Sequence, residues 1–215
     1  MRTLILATRN RHKVSELQAL LAGLGQCCCL EEFPEAPELI EDADTFAGNA
    51  SRKAVQLANW LAAHQDWPGA LVLADDSGLE VDALQGNPGV RSARFAADDL
   101  GAASNAPDQA NNAKLLRLLE GVPAADRSAR FRCCLALVEV PLPGSSPSVP
   151  MLFEGCCEGS IGFEPRGRQG FGYDPLFVPL GSDRTFAQLT EAEKNRISHR
   201  QAALVRLREW PGLAS

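Results

Sequence analysis

The sequence is short of lysine, which supplies only 4 of its 21 cationic residues, arginine supplying the other 17. It has no apolar run near the ~18 residues needed to cross a bilayer, which excludes a membrane bundle. The apolar stretch Thr3-Leu4-Ile5-Leu6-Ala7 is too short for a secretory signal, so a cytoplasmic protein is expected. No C-x-x-C pair is present. The seven cysteines fall in three clumps, Cys27-Cys28-Cys29, Cys133-Cys134 and Cys156-Cys157. Neighbours on a strand point to opposite faces and cannot converge on one zinc ion. They read as small buried hydrophobes in a reducing compartment. There is no G-x-x-x-x-G-K-[ST] phosphate loop, no D-x-D-x-T spacing of phosphoaspartyl enzymes, and no repeat or coiled coil. The net charge of −6 excludes a nonspecific nucleic-acid binder, whose affinity comes from neutralising phosphates. A small phosphorylated ligand in a local cationic pocket remains compatible with it.

What is present is an ordinary globular balance over 215 residues, 45% hydrophobic and 22% charged. Residues 3–7 read as a buried strand. Val14, Leu17, Leu20, Leu21 and Leu24 then form one face of a helix, closed by Gly23 and Gly25. The acid-rich segment 31–44 reads as a loop, and Asp44 or Thr45 caps a second helix with the stripe Phe46, Ala50, Ala54, Leu57, Ala58 and Leu61. Pro68-Gly69 closes that unit, and 70–74 is a second short strand. A loop from Gly78 to Phe95 follows, then a helix around 108–119 and a strand over 130–140. The Pro/Ser tract at 143–148 reads as a hairpin turn into a strand near 151–159. Capping boxes Thr190…Glu193 and Ser198…Gln201 open two final helices.

Four segments carry candidate chemistry. Thr8-Arg9-Asn10-Arg11-His12-Lys13 is a strand-to-helix junction, where free N–H groups, the dipole and Lys13 suit an anion. Its plain alternative is an Asn helix cap. Asp75-Asp76 follows a buried strand, where paired carboxylates suit a hard divalent cation and a base for water. Only one of the two faces any given side, so their roles differ. Glu41 lies in a loop from which it can reach a metal. Asn49 and Lys53 share a face of the second helix, with the Lys53 head expected to be free. In Gly170-Phe171-Gly172-Tyr173-Asp174, a ring between two glycines is open to a flat partner. His199 and Arg200 at a helix start present donors to a ligand's polar edge.

Together, Thr8-x-Asn10-x-x-Lys13, Thr45-Phe46-x-x-Asn49-Ala50-x-x-Lys53, Ala74-Asp75-Asp76-Ser77-Gly78-Leu79, Gly89-Val90-x-Ser92-Ala93-Arg94, Phe171-Gly172-Tyr173-Asp174-Pro175 and Ser198-His199-Arg200 closely resemble the inosine/xanthosine triphosphate pyrophosphatases. The resemblance runs in order from about Leu4 to Leu207. It implies an α/β fold: an elongated mixed β-sheet flanked by helices, in a single two-lobed domain spanning 1–215 with a central substrate cleft. It implies a homodimer that acts on a nucleotide, without nucleic-acid or membrane partners. The implied reaction is magnesium-dependent (Mg2+) attack of water on the α-phosphorus of deaminated purine triphosphates. By matching motif, Thr8, Arg9, Asn10, Arg11, His12, Lys13 and Lys53 would hold phosphates, and Glu41 and Asp76 the metal. Asp76 would also be the base and Ser77 a substrate contact. Phe171, Gly172, Tyr173, Asp174, Lys194, His199 and Arg200 would surround the nucleobase. A nucleotide sensor without hydrolysis and a pyrimidine triphosphate pyrophosphatase are the alternatives; the first would tolerate loss of Glu41 or Asp76, and the second would not need His199-Arg200.

Overall fold

The structure is a computed structural model that describes residues 2–64, 67, 69–102, 105–142, 145 and 148–213. Its strands are β1 Leu4–Leu6, β2 Cys27–Cys29, β3 Leu71–Val81, β4 Ser128–Glu139, β5 Met151–Ile161 and β6 Phe177–Pro179. Its helices are α1 Arg11–Leu21, α2 Phe46–Ala63, α3 Ala97–Leu100, α4 Asp108–Leu118, α5 Glu191–Ile197 and α6 His199–Arg208. The strands form one sheet in the order β2-β1-β3-β4-β5-β6. β1 pairs in parallel with both β2 and β3, while β5 and β6 are antiparallel, so the sheet is mixed. Parallel neighbours need a crossover connection, and α1 and α2 lie within the one that joins β1 to β3. Among the described residues no helix is long and apolar enough to cross a membrane.

Two compact units are present. The first comprises Met1–Asp76, Cys133–Gly155 and Arg200–Ser215. In it the period-2 alternation of β3 divides the apolar residues between the two faces of the sheet. Leu71 and Leu73 pack with Leu17, Leu20 and Leu21 of α1 and with Ala203, Leu204 and Leu207 of α6. Val72 and Ala74 pack with Ala50, Ala54, Leu57, Ala58 and Leu61 of α2. The helix stripe read from the sequence is the buried face of α2, and Thr45 is its cap, its Oγ1 accepting from Gly48 N at 3.0 Å. The second unit comprises Ser77–Arg132 and Cys156–His199, with a core that includes Leu79, Val81, Leu115, Leu119, Phe131, Phe177 and Phe186.

Three local expectations change. β3 does not stop at Ala74 but continues to Val81, because Leu79 and Val81 keep the alternation and are fully buried. Asp75 and Asp76 therefore lie within a strand rather than at its end. The cysteine triplet forms β2, and β6 is a strand too short for its pattern to register. Pro143, Gly144, Ser146 and Pro147 of the expected hairpin turn, and Pro68, lie outside the described residues.

Candidate active site

In the first unit β3 carries two adjacent acids to opposite faces. Asp75 is fully buried on the face shared with α1 and α6. Its Oδ1 lies 2.5 Å from Lys13 Nζ, and its Oδ2 lies 3.2 Å from Arg200 Nε and accepts from Cys133 Sγ at 3.1 Å. Arg200, itself 2% exposed, places Nη1 2.6 Å from Oε2 of buried Glu16. Burial alone would push the Asp75 carboxyl up, but Arg200 and Lys13 override it and hold the group well below the usual carboxylate range. Burial would lower the Lys13 ammonium, and Asp75 instead holds it above its ordinary value. Cys133 is pushed well up, first by burial and then by Asp75, so it stays a thiol. Asp75 is thus a locked anion that fixes Lys13.

Asp76 lies on the α2 face. Its Oδ2 accepts from Asn49 Nδ2 at 3.0 Å, and its Oδ1 is 3.9 Å from Lys53 Nζ. Lys53 Nζ also contacts Glu41 Oε1 at 2.5 Å and the Asp75 carbonyl oxygen at 2.6 Å. Asn49 reaches both ways, since its Oδ1 accepts from Ala43 N at 2.8 Å in the loop that carries Glu41. Burial raises the Asp76 pKa above its ordinary value; Lys13 and Lys53 draw it down and Glu41 adds to the rise. Two neighbouring carboxyls with opposite shifts are what an acid-base site requires, one as fixed charge and one able to take a proton.

Glu41 and Asp76 fit magnesium. Both carboxylates converge on one cationic nitrogen, that of Lys53, so this corner already accommodates positive charge. No group of three or more His, Cys, Asp or Glu residues suited to a metal occurs among the described residues. Two hard oxygen donors, with water and phosphate oxygens completing the shell, match how magnesium is usually held.

The junction before α1 is more self-satisfied than its sequence suggests. Asn10 Oδ1 accepts from His12 N at 3.0 Å and Lys13 N at 3.2 Å, so the helix-cap alternative holds and those N–H groups are engaged. Thr8 Oγ1 accepts from Asn10 N. Arg9 donates to the Ala36 carbonyl and Arg11 pairs with Glu31, while His12 is exposed.

The second unit contains Ser77, the 171–174 loop, Lys194 and His199, and within it Lys194 meets the loop. Lys194 Nζ lies 2.6 Å from Asp174 Oδ2 and 5.0 Å from the centroid of the Phe171 ring. The same Oδ2 accepts from Phe171 N at 2.9 Å. Gly170 must be glycine: its φ is +74°, and a Cβ there would sit 2.0 Å from Asp174 Oδ2. A side chain at Gly167 would likewise meet the Ala187 carbonyl oxygen at 2.2 Å. The His199 ring stacks on Phe131, with centroids 4.9 Å apart and planes 13° from parallel.

Three of the expected site residues are buried with partners inside the protein. Arg200, expected beside the base, gives its guanidinium to Asp75 and Glu16 in the first unit. Tyr173 is buried and its hydroxyl donates to the Ser92 carbonyl, so it acts as a strut. Lys53 is 3% exposed and fully engaged rather than free. Residues that sequence reasoning passed over are Glu16, Cys133, Asp108 and Asn112. The available signals were a Glu next to the apolar stripe of α1 and two asparagines inside α4, where helix propensity disfavours them.

With this geometry in view, comparison with known proteins is decisive. Residues 4–210 match the Ham1 family. The chain belongs to the Ham1 family. This Ham1 chain is 49% identical over 207 residues, 96% of its own length and 94% of the other's, to a protein of Desulforamulus reducens named dITP/XTP pyrophosphatase. A Geobacter sulfurreducens protein of the same name is 45% identical over 99% of this chain and all of its own. Among solved structures, a HAM1 protein from Coxiella burnetii has a TM-score of 0.78 and 40% identity, with 96% of each chain covered. A nucleoside-triphosphatase / dITP/XTP pyrophosphatase from Mycobacterium abscessus has a TM-score of 0.68 and 38% identity, covering 97% of this chain and 100% of its own.

Proposed function

We propose that this chain hydrolyses deaminated purine nucleoside triphosphates (ITP, dITP and XTP) to the nucleoside monophosphate and pyrophosphate, clearing them from the nucleotide pool. The observation that carries the reading is the Asp75-Asp76 pair, one carboxyl locked among cations and its neighbour buried with a raised pKa beside Lys53 and Glu41. The names of relatives 41–49% identical to this chain support the substrate class.

In this reading Lys13, Lys53 and the Thr8–Lys13 turn hold the phosphates, and Ser77 contacts the substrate. Asp76 takes the proton from the water that attacks the α-phosphorus, the P–O bond to the β-phosphate breaks, and pyrophosphate leaves. Magnesium, held by Glu41 and Asp76, would supply charge neutralisation for the triphosphate. Asn49 orients Asp76 for that task. Lys13 cannot drift, because Asp75 holds it in place and Arg200, itself anchored by Glu16, in turn holds Asp75.

The base stacks on Phe171. Stacking tolerates any base, so discrimination falls to edge contacts. Lys194 can only donate; it accepts a 6-oxo group as partner and faces a second donor in the 6-amino group of adenine. A site left with unpaired polar groups rejects an analogue strongly. A homodimer acting in the cytoplasm on a free nucleotide completes the proposal. Asp76→Asn tests it: turnover of ITP should fall by roughly a hundredfold or more, as for loss of a general base. Near-normal magnesium-dependent turnover in that variant would overturn the assignment.

A further inference from the structure

The loop that carries Phe171 is gripped from one side by a helix that the reaction scheme does not use. Gly172 sits at φ +61°, a left-handed conformation with little to hold it of its own accord. Both its backbone polar groups are taken by α4. Its N–H donates to Asp108 Oδ2 at 2.6 Å, and its carbonyl accepts from Asn112 Nδ2 at 2.9 Å. Asp108 and Asn112 are four residues apart, so they stand one above the other on the same helix face.

Two further facts separate this grip from ordinary packing. Asn112 is 92% buried, and its Oδ1 has no hydrogen-bond partner among the described residues. An apolar residue would suit the fold better at that helix position, because a buried acceptor without a partner is costly. What the amide supplies there is the donor that holds the Gly172 carbonyl. The platform behind it is also rigid. Leu115 and Leu119 of the α4 segment are fully buried. At its far end Arg127 donates to the Leu119 and Val122 carbonyls and also to the Gly162 carbonyl, where the same loop begins. The loop from Gly162 to Asp174 is therefore tied to the α4 segment near both its ends.

We propose that Asp108 and Asn112 are positioning residues for the nucleobase. They lock the Gly172 peptide, and through it hold the Phe171 ring in the orientation in which a base stacks. The proposal rests on the reading of Phe171 as the stacking platform. Both residues act through Phe171 and touch no reacting atom, so their loss should affect base affinity and spare the chemical step.

The test is calorimetric binding of inosine monophosphate and, separately, of pyrophosphate, which lacks a base, together with kcat on saturating ITP. Asp108→Ala and Asn112→Ala should each weaken inosine monophosphate about tenfold, a loss within the range of base stacking. Pyrophosphate affinity and kcat should stay within about twofold, the scatter expected of independent sites. Asp108→Asn, which keeps an acceptor oxygen for the Gly172 N–H, should bind like the parent. Asn112→Asp, which removes the donor, should not, and this pair of equal-sized changes decides the matter if the alanine variants do not fold. On a Phe171→Ala background, Asn112→Ala should add less than about twofold, because the two act as one unit. If Phe171→Ala leaves inosine monophosphate binding unchanged, the stacking reading fails and the proposal with it. If Phe171→Ala weakens binding but the α4 variants do not, or their effects multiply in full with it, the positioning role alone is overturned.

Discussion

Lys53→Met isolates the cation on which the Glu41 and Asp76 carboxylates converge. Methionine keeps most of the aliphatic stem and removes only the ammonium. In the parent that group lies 2.5 Å from Glu41 Oε1, 2.6 Å from the Asp75 carbonyl oxygen and 3.9 Å from Asp76 Oδ1, on a residue 3% exposed. Removing one partner of a buried ion pair costs ~3–5 kcal/mol when the other is left uncompensated. Glu41 has a side chain 43% exposed and can turn to water, so its share of that figure is small. The Asp75 carbonyl loses its donor and Asp76 loses a nearby positive charge, which brings the expected cost to ~2–3 kcal/mol. For a chain of this size ~1 kcal/mol shifts the melting temperature by ~2–4 °C, so a fall of about 4–12 °C follows. The assay is thermal unfolding without nucleotide or metal, paired with ITP turnover well below both transitions. Turnover should fall by about a hundredfold, the range for losing one group aimed at developing charge. A melting temperature within about one degree of the parent, as for an exposed surface change, would refute the reasoning, because it would mean that the ammonium is held by nothing.

Arg200→Met should destabilise the fold by ~3–5 kcal/mol in chemical denaturation, since buried Glu16 then loses the cation it pairs with and Asp75 keeps only Lys13; a loss under about 1 kcal/mol would show that the pairing is not structural. The pH-rate profile should bend on its acid side above the range of an ordinary aspartate, because burial raises the Asp76 carboxyl and the base must be ionised to act. Raising magnesium should move that limb to lower pH, since a bound cation favours the ionised carboxylate. A limb insensitive to magnesium would separate the base from the metal ligand.

Much of this was legible in the sequence where local patterns and tertiary packing agree. The stripes of α1 and α2 are apolar at helical spacing and are the faces that bury. The capping box at Thr190 and the Asn10 cap are local devices that close within three residues, so the sequence alone suffices to place them. The opposite environments of Asp75 and Asp76 follow from strand alternation alone. What escaped the sequence depended on residues far apart in it. β3 runs past the acids because Leu79 and Val81 meet a core drawn from the 115–189 segments. Arg200 reads as a free donor beside His199, yet its partners lie 125 and 184 residues away. Lys53 seemed free because its helix stripe is elsewhere, while the carboxylates that enclose it come from a loop and a strand. Asn112 and Asp108 carry no motif, and only the position of Gly172 reveals what they hold.

The central claim is cleavage of a 6-oxo purine triphosphate between its α- and β-phosphates. It is tested most directly by following the products from ITP, dITP, XTP, GTP and ATP, with and without magnesium. The account predicts nucleoside monophosphate and pyrophosphate in equal amounts from ITP, dITP and XTP, dependent on magnesium. It also predicts rates on ATP lower by at least about a hundredfold, as for a site whose donors are left unpaired. Inosine diphosphate and inorganic phosphate as products, or equal rates on ITP and ATP, would contradict it.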